Sequence, residues 1–178
     1  MRLTQLNEEK QKLALERLQA DRSDYEPFLS KESIDIHYGK LAKGYVDRFN
    51  AGEGDADFNR AGAFLHNIYF PQLKEPAGSN NPRGASLMLI NSKYSSYDKF
   101  KSEVTKVAMG IQGSGWVYMA RNGEIKTIKN HAMRSDIAML IDWWEHSWFT
   151  DYGSDKSKYL TNFWKAVDWE VVNQRLLT

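Results

Sequence analysis

The dipeptide Asn122-Gly123 is the feature that most restricts what this chain of 178 residues can fold into. An Asn-Gly pair between two strand-like runs is the strongest short indicator of a β-hairpin, because both residues tolerate the left-handed backbone of a tight turn. Residues 116–121 and 124–129 flank the pair, so we predict that they form two antiparallel strands. The apolar run at 137–143 is a candidate for a third, buried strand.

The rest of the chain is predicted to be mainly helical. Residues 30–50 and 57–70 indicate two antiparallel helices, because only a short Gly- and Asp-rich loop separates them. Further helices are expected around 84–93, 96–110 and 159–177. The fold class is therefore α+β, with an N-terminal antiparallel helical hairpin and a C-terminal lobe that holds a three-stranded antiparallel sheet and surrounding helices.

This pattern divides the chain into three segments. Residues 1–24 are expected to form a helical N-terminal arm, because this region is rich in Gln, Glu, Lys, Leu and Ala. Residues 25–83 are the helical hairpin lobe and residues 84–178 the α+β lobe. The boundary is placed in the linker at 74–84, which contains two of the four prolines.

Composition limits the chemistry that the chain can perform. It has no cysteine and four histidines, which excludes thiolate zinc sites, Fe–S clusters and cysteine nucleophiles. The formal net charge is +1, so neither nucleic acid nor a membrane surface is expected as a partner. Without a long apolar stretch or a leader-like start, a cytoplasmic location is expected.

Three of the histidines occur in a suggestive context. His37 and His66 lie in the middle of the two hairpin helices, and Asp142 and His146 are four residues apart where the third strand ends. Any one of them alone is more often a hydrogen-bonded core residue. Together, three imidazoles and a carboxylate directed at one point suit Fe, Mn or Zn and disfavour Ca and Mg.

The segments that carry these residues resemble the iron/manganese superoxide dismutase family over roughly residues 25–175. The most specific match is residues 142–146, Asp-Trp-Trp-Glu-His, which fits the family's Asp-x-Trp-Glu-His motif. Further matches follow in the family's order at residues 30–40, 43–46, 113–116, 163–164 and 168–169. Their common order makes chance agreement a poor explanation.

The resemblance implies a metal site and a reaction. His37, His66, Asp142 and His146 would be the protein ligands of one Fe or Mn ion per subunit, with solvent as a fifth ligand. The implied activity is the disproportionation of superoxide to dioxygen and hydrogen peroxide.

The resemblance also gives roles to residues around the ligands. Tyr45 would guard substrate access, while Trp116 and Trp144 would line the apolar wall of the site. His131 would hydrogen-bond the metal's solvent ligand, and a histidine at this position favours iron or the use of either metal. The sequence does not otherwise separate iron from manganese.

The resemblance further implies a homodimer, and a tetramer is an alternative. Glu145 would reach across the interface to His146 of the second subunit. Two departures concern the same region, because Leu41 and Phe149 stand where the family usually has a histidine and a tyrosine that contact each other between subunits. Replacing both polar partners together costs less stability than leaving one of them buried and unpaired. We therefore expect an intact metal site and a drier gateway, by which we mean the substrate access route beside Tyr45.

Two other functions are compatible with the sequence. The dismutase fold could serve as a structural or partner-binding module, an interpretation suggested by the N-terminal arm and by Leu41. A hydrolytic zinc site is the third hypothesis, although no separate general base stands out. The presence of all four ligand residues together with Tyr45 and His131 favours the redox enzyme.

Overall fold

The computed structural model describes residues 11–178 and confirms the predicted α+β fold class. The described helices are α1 (Lys31–Ile36), α2 (Lys43–Ala51), α3 (Ala56–Tyr69), α4 (Gly84–Tyr94), α5 (Tyr97–Met109), α6 (Glu145–Tyr152), α7 (Lys156–Ala166) and α8 (Trp169–Leu176). A π-helical turn, His37–Ala42, joins α1 to α2, and a 3₁₀ turn, Phe70–Gln72, follows α3. The strands are β1 (Gly115–Ala120), β2 (Ile125–Lys129) and β3 (Ile137–Asp142). Within the described part of the chain, no helix is both long and apolar enough to cross a bilayer.

Local sequence explains where the hairpin helices begin and end. The Ser30 hydroxyl accepts a hydrogen bond from the backbone N–H of Ser33 and caps α1, and Asp55 caps α3 in the same way at Phe58. Gly52 ends α2 in the left-handed conformation that glycine adopts without strain. The predicted helix at 30–50 is present as α1, the π-helical turn and α2, so His37 starts a widened turn.

The sheet has the order β2-β1-β3, with both pairs antiparallel. The predicted hairpin forms at Asn122-Gly123, where Gly123 has a φ of 82° and its N–H donates to the Ala120 carbonyl at 2.8 Å. This geometry is a type I turn followed by a left-handed glycine, the usual three-residue hairpin loop. Strands β1 and β3 are buried along their whole length, and β3 ends at Asp142.

Side chains cover the outer edge of β3. The Leu140 N–H donates to Gln72 Oε1 at 3.0 Å, and the Gln72 side-chain nitrogen donates to the Leu140 carbonyl. Arg175 of α8 donates to the same Gln72 oxygen at 3.2 Å and to the Ile68 carbonyl at 2.8 Å. The side-chain amide therefore replaces a neighbouring strand and satisfies buried backbone groups.

The helical arm predicted for residues 1–24 is wrong where the structure describes it, because residues 11–24 form neither helix nor strand. The Asn50 side chain accepts from the Leu13 N–H at 2.8 Å and donates to the Leu13 carbonyl at 2.9 Å. Asn67 likewise accepts from the Glu16 N–H and donates to the Ala14 carbonyl, both at 2.8 Å. These contacts outweigh helix propensity by bonding the backbone groups directly. Residues 1–10 lie outside the described residues.

Replacing Gly115 with alanine is expected to destabilise the protein by about 2–3 kcal/mol through overpacking. A Cβ on Gly115 would lie 2.6 Å from the Ile128 carbonyl oxygen, a backbone atom that cannot move without disturbing the β1–β2 pair. Urea unfolding measures the loss. Gly78→Ala is the matched control, because a Cβ there meets no atom within 4 Å. Equal stability of the two variants would contradict the prediction.

Candidate metal centre

Four elements bring the predicted ligands together. His37 begins the π-helical turn, His66 lies in α3, Asp142 is the last residue of β3, and His146 is in the first turn of α6. One nitrogen or oxygen atom of each lies within 4.8 Å of the corresponding atoms of the other three. The sequence spacing of four between Asp142 and His146 brings them together because only two residues separate the end of β3 from the start of α6.

The Asp142 carboxylate is the centre of this cluster. Its Oδ2 lies 3.0 Å from His37 Nε2, 3.6 Å from His66 Nε2 and 3.5 Å from His146 Nε2. Its Oδ1 accepts a hydrogen bond from the Trp144 N–H at 2.8 Å, which fixes the orientation of the carboxylate. Asp142 Oδ2 and His146 Nε2 are both buried without a hydrogen-bond partner among the described residues.

The tautomer of His66 prepares its other nitrogen for a metal. His66 Nδ1 lies 2.7 Å from the Gly62 carbonyl, which only accepts, so Nδ1 carries the proton and Nε2 has a free lone pair. That Nε2 is 3.1 Å from His37 Nε2. A cation between these nitrogens and Asp142 Oδ2 would satisfy all of them, so the residues fit a metal with nitrogen and oxygen ligands.

Electrostatics keep the ligands in the forms that bind metals. Burial lowers the pKa of His66 to about 3 and also lowers the pKa of His37. Burial alone would raise the pKa of Asp142, but the imidazoles of His146 and His37 outweigh it and hold that pKa well below its usual value. At neutral pH, His37 and His66 are therefore neutral and Asp142 is an anion.

His131 is buried next to the ligands, with its ring 5.9 Å from that of His66. Its ring is 4.5 Å from the Trp144 ring and 4.9 Å from the Tyr45 ring, measured between centroids. Trp116 Nε1–H is shared between the Asn130 carbonyl at 3.0 Å and His131 Nδ1 at 3.2 Å, and as an acceptor Nδ1 leaves the proton of the neutral ring on Nε2. That Nε2 is buried without a partner among the described residues, and burial lowers the pKa of His131 to about 4. The ring can therefore donate a hydrogen bond to a small molecule in the site.

The structure also brings Tyr45, Trp116 and Trp144 to the cluster. The Tyr45 and Trp116 rings lie 5.4 Å and 5.1 Å from the His66 ring, and the Trp144 ring lies 5.7 Å from His146. Burial raises the pKa of Tyr45 to about 12, so the phenol keeps its proton at neutral pH. Gly62 makes room for Tyr45, because a Cβ there would lie 2.8 Å from the tyrosine Cγ. Glu145 is exposed, and its predicted role needs a second subunit.

Phe58 is a residue near the site that the sequence reasoning missed. Its ring lies 4.8 Å from His131 and 6.0 Å from Tyr45, and 37% of the residue is exposed. It lines a surface cavity of about 400 Å³ together with Asp55, Asp57, Arg60, Ala61, His131, Ala132 and Met133. Its spacing was the available signal, since it precedes Gly62 and His66 by four and eight residues in one helix.

The two departures from the family pattern lie at the surface near the site. Leu41 is half-buried in the π-helical turn, and Phe149 of α6 is 55% exposed. The predicted contact between these positions of two subunits is not tested by a single chain, and the drier gateway stays a prediction.

Three imidazoles and one carboxylate around a common point, on an α+β scaffold without cysteine, define a mononuclear metalloprotein with nitrogen and oxygen ligands. A family model described as the C-terminal domain of iron/manganese superoxide dismutases matches residues 82–175. The chain therefore belongs to the iron/manganese superoxide dismutase family.

Curated relatives agree with this assignment over most of the chain. A "Superoxide dismutase [Fe]" of Sulfolobus acidocaldarius is 32% identical over 184 residues, which cover 85% of this chain and 87% of the relative. A "Superoxide dismutase [Mn/Fe]" of Porphyromonas gingivalis is 32% identical over 176 residues, covering 84% and 91%. A "Superoxide dismutase [Fe]" of Pyrobaculum aerophilum is 29% identical over 180 residues, covering 85% of each.

Proposed function

We propose that this protein is a superoxide dismutase that holds one iron or manganese ion at His37, His66, Asp142 and His146. The observation that carries the proposal is the convergence of these four side chains, among which Asp142 Oδ2 and His146 Nε2 are buried without a hydrogen-bond partner. The names of the relatives support iron, or the use of either metal, as does the histidine at position 131. No cysteine is present that the substrate or the peroxide product could oxidise.

The chemistry that a bound iron or manganese ion supplies is one-electron transfer, in which one superoxide is oxidised to dioxygen and another, with two protons, is reduced to hydrogen peroxide. The residues of the chain bind the ion and orient the side chains around it. Asp142 contributes the negative charge that a cation requires, and the Gly62 carbonyl holds His66 in the ligating tautomer. His131 carries a donor proton at Nε2, because its other ring nitrogen, Nδ1, accepts the N–H of Trp116. Tyr45 and Trp144 pack against His131 and limit water around that proton.

Elemental analysis combined with a superoxide assay tests the function. Protein expressed with both iron and manganese available is expected to consume superoxide and to contain about one ion per chain, since residues 11–178 hold one such cluster of ligands. Metal-free, inert protein would contradict the proposal and favour a structural or partner-binding role. Zinc alone with hydrolytic activity would indicate the third function.

We also propose that two copies of the chain form a homodimer through the surface around His146. Its side chain is 19% exposed, whereas those of His37, His66 and Asp142 are at most 1% exposed. Exposed apolar residues near this part of the surface are Phe58, Met133 and Phe149. Glu145, exposed beside His146, would reach the second subunit's ligand. A tetramer and a cytoplasmic location stay predictions of the sequence.

Replacing Glu145 with alanine is expected to weaken the dimer by roughly tenfold or more, because a charge-assisted hydrogen bond between subunits is worth about 1.5–3 kcal/mol. Analytical ultracentrifugation over a range of protein concentrations measures the change. Glu170→Ala, which removes an exposed carboxylate of α8, is the control and should leave the dimer intact. An unchanged dimer in the Glu145 variant would rule out this bridge.

A further inference from the structure

Arg48 carries a positive charge beside Tyr45, at the edge of the metal centre. It follows Tyr45 by three residues in α2, and its Cζ lies 5.1 Å from the centre of the tyrosine ring. Its Nε–H donates to Asn59 Oδ1 at 3.1 Å, and Asn59, which is buried, also donates to the Glu53 carbonyl at 3.0 Å. Asn59 and the tyrosine ring therefore hold the guanidinium group in place.

Arg48 has no ion-pair partner within the part of the chain that the structure describes. Among residues 11–178, no carboxylate oxygen lies within 4.0 Å of its nitrogen atoms. Arg22, in contrast, is paired with Asp35 at 2.6 Å. An uncompensated charge at the surface extends its field over a Debye length, about 10 Å at 0.1 M salt.

The cavity beside the metal centre needs such a charge if an anion is to enter. The residues lining it include two carboxylates, Asp55 and Asp57, and one guanidinium, Arg60. The lining thus carries an excess of negative charge, and the whole chain has a net charge of only +1. Arg60 is therefore outnumbered by carboxylates within the lining, and the lining as a whole does not attract an anion to His131.

We propose that Arg48 helps to guide the anionic substrate to the Tyr45 side of the metal centre, where its guanidinium group is held over the tyrosine ring. This inference rests on the proposed function, because superoxide is a monovalent anion. Arg48 would raise the rate at which superoxide meets the enzyme, so its contribution is expected in kcat/KM. This contribution is expected to fall as salt screens the charge. Arg48 needs no contact with the metal to do this.

The first test compares metal-loaded wild type with Arg48→Gln, Arg48→Lys and Arg121→Gln over a range of ionic strengths. Arg48→Gln is expected to lower kcat/KM by roughly threefold at low salt and to show a flatter salt dependence. Arg48→Lys keeps the charge and should retain most of the rate. Arg121 lies in the β1–β2 loop, at the far end of β1 from Trp116, and its variant controls for the loss of one charge. An equal effect of Arg48→Gln and Arg121→Gln would overturn the inference.

The second test needs neither metal nor activity. Trp144 is the least buried of the six tryptophans and packs on His131, so quenching of tryptophan fluorescence reports on access to this site. In metal-free protein, Arg48→Gln should lower quenching by iodide, an anion, by roughly twofold and leave quenching by neutral acrylamide unchanged. Equal iodide quenching of wild type and variant would overturn the inference. Inactive loaded wild type with the expected iodide difference would instead refute the proposed function alone.

Discussion

Asp142→Ala is expected to abolish metal binding and dismutase activity. The substitution removes the one anion of the cluster and the oxygen that lies within 3.6 Å of three imidazole nitrogens. Loss of residues that merely support a metal ligand lowers affinity about 10–100-fold, so loss of the ligand itself should exceed that range. Elemental analysis after gel filtration and a superoxide assay measure both effects.

Two further variants test whether the loss of metal is due to the loss of the Asp142 carboxylate itself. Asp142→Asn keeps a side-chain oxygen that can accept the Trp144 N–H but removes the charge, so it should fold and still fail to hold the ion. Asp136→Asn changes an aspartate that pairs with Lys126 at 3.0 Å and should keep the metal. Metal bound by Asp142→Ala at the wild-type ratio would show that the ligand assignment is wrong.

Metal-free protein is expected to lose its fold steeply as the pH falls from about 6.5 to 4, the range between ordinary and buried histidine pKa values. Burial lowers the pKa of His66 to about 3 and that of His131 to about 4, and it lowers the pKa of His37. In this pH range these histidines bind protons in the unfolded chain but not in the folded chain. The free energy of unfolding therefore decreases as the pH decreases. Each such histidine contributes up to about 1.4 kcal/mol per pH unit.

Urea unfolding of the metal-free protein at a series of pH values measures this slope. His131→Gln replaces one titrating ring by an uncharged amide and should reduce the slope by about one histidine's share, roughly 1.4 kcal/mol per pH unit at most. The metal-loaded protein should resist acid until the ion is released, because the bound ion excludes protons from the ligands. Metal-free stability that does not change between pH 6.5 and 4.5 would contradict the prediction.

The sequence predicted the helices and strands well where local rules determine them. Asn122-Gly123 specified the hairpin because Gly123 adopts a positive φ at no cost, and buried apolar runs specified β1 and β3. The arm was predicted wrongly because residues 11–18 pair with the side chains of Asn50 and Asn67, contacts that no local propensity contains.

The site was predictable to a similar extent. Helix positions and the spacing of Asp142 and His146 gave candidate ligands, and the structure brings all four together. The contact between Arg48 and Asn59 and the tautomers of His66 and His131 were not predictable, because they depend on distances between separate elements. Phe58 was missed because a single phenylalanine in an amphipathic helix is ordinarily a packing residue.

The amide of Gln72, which pairs with Leu140 along the outer edge of β3, also bears on how the molecule behaves without metal. An open strand edge allows chains to join edge to edge and aggregate. Here the strand that carries Asp142 is already closed by Gln72 and Arg175, and neither contact involves a metal ligand. At neutral pH, metal-free molecules are therefore not expected to join through the edge of β3, and the strand that carries Asp142 stays available to take up an ion again.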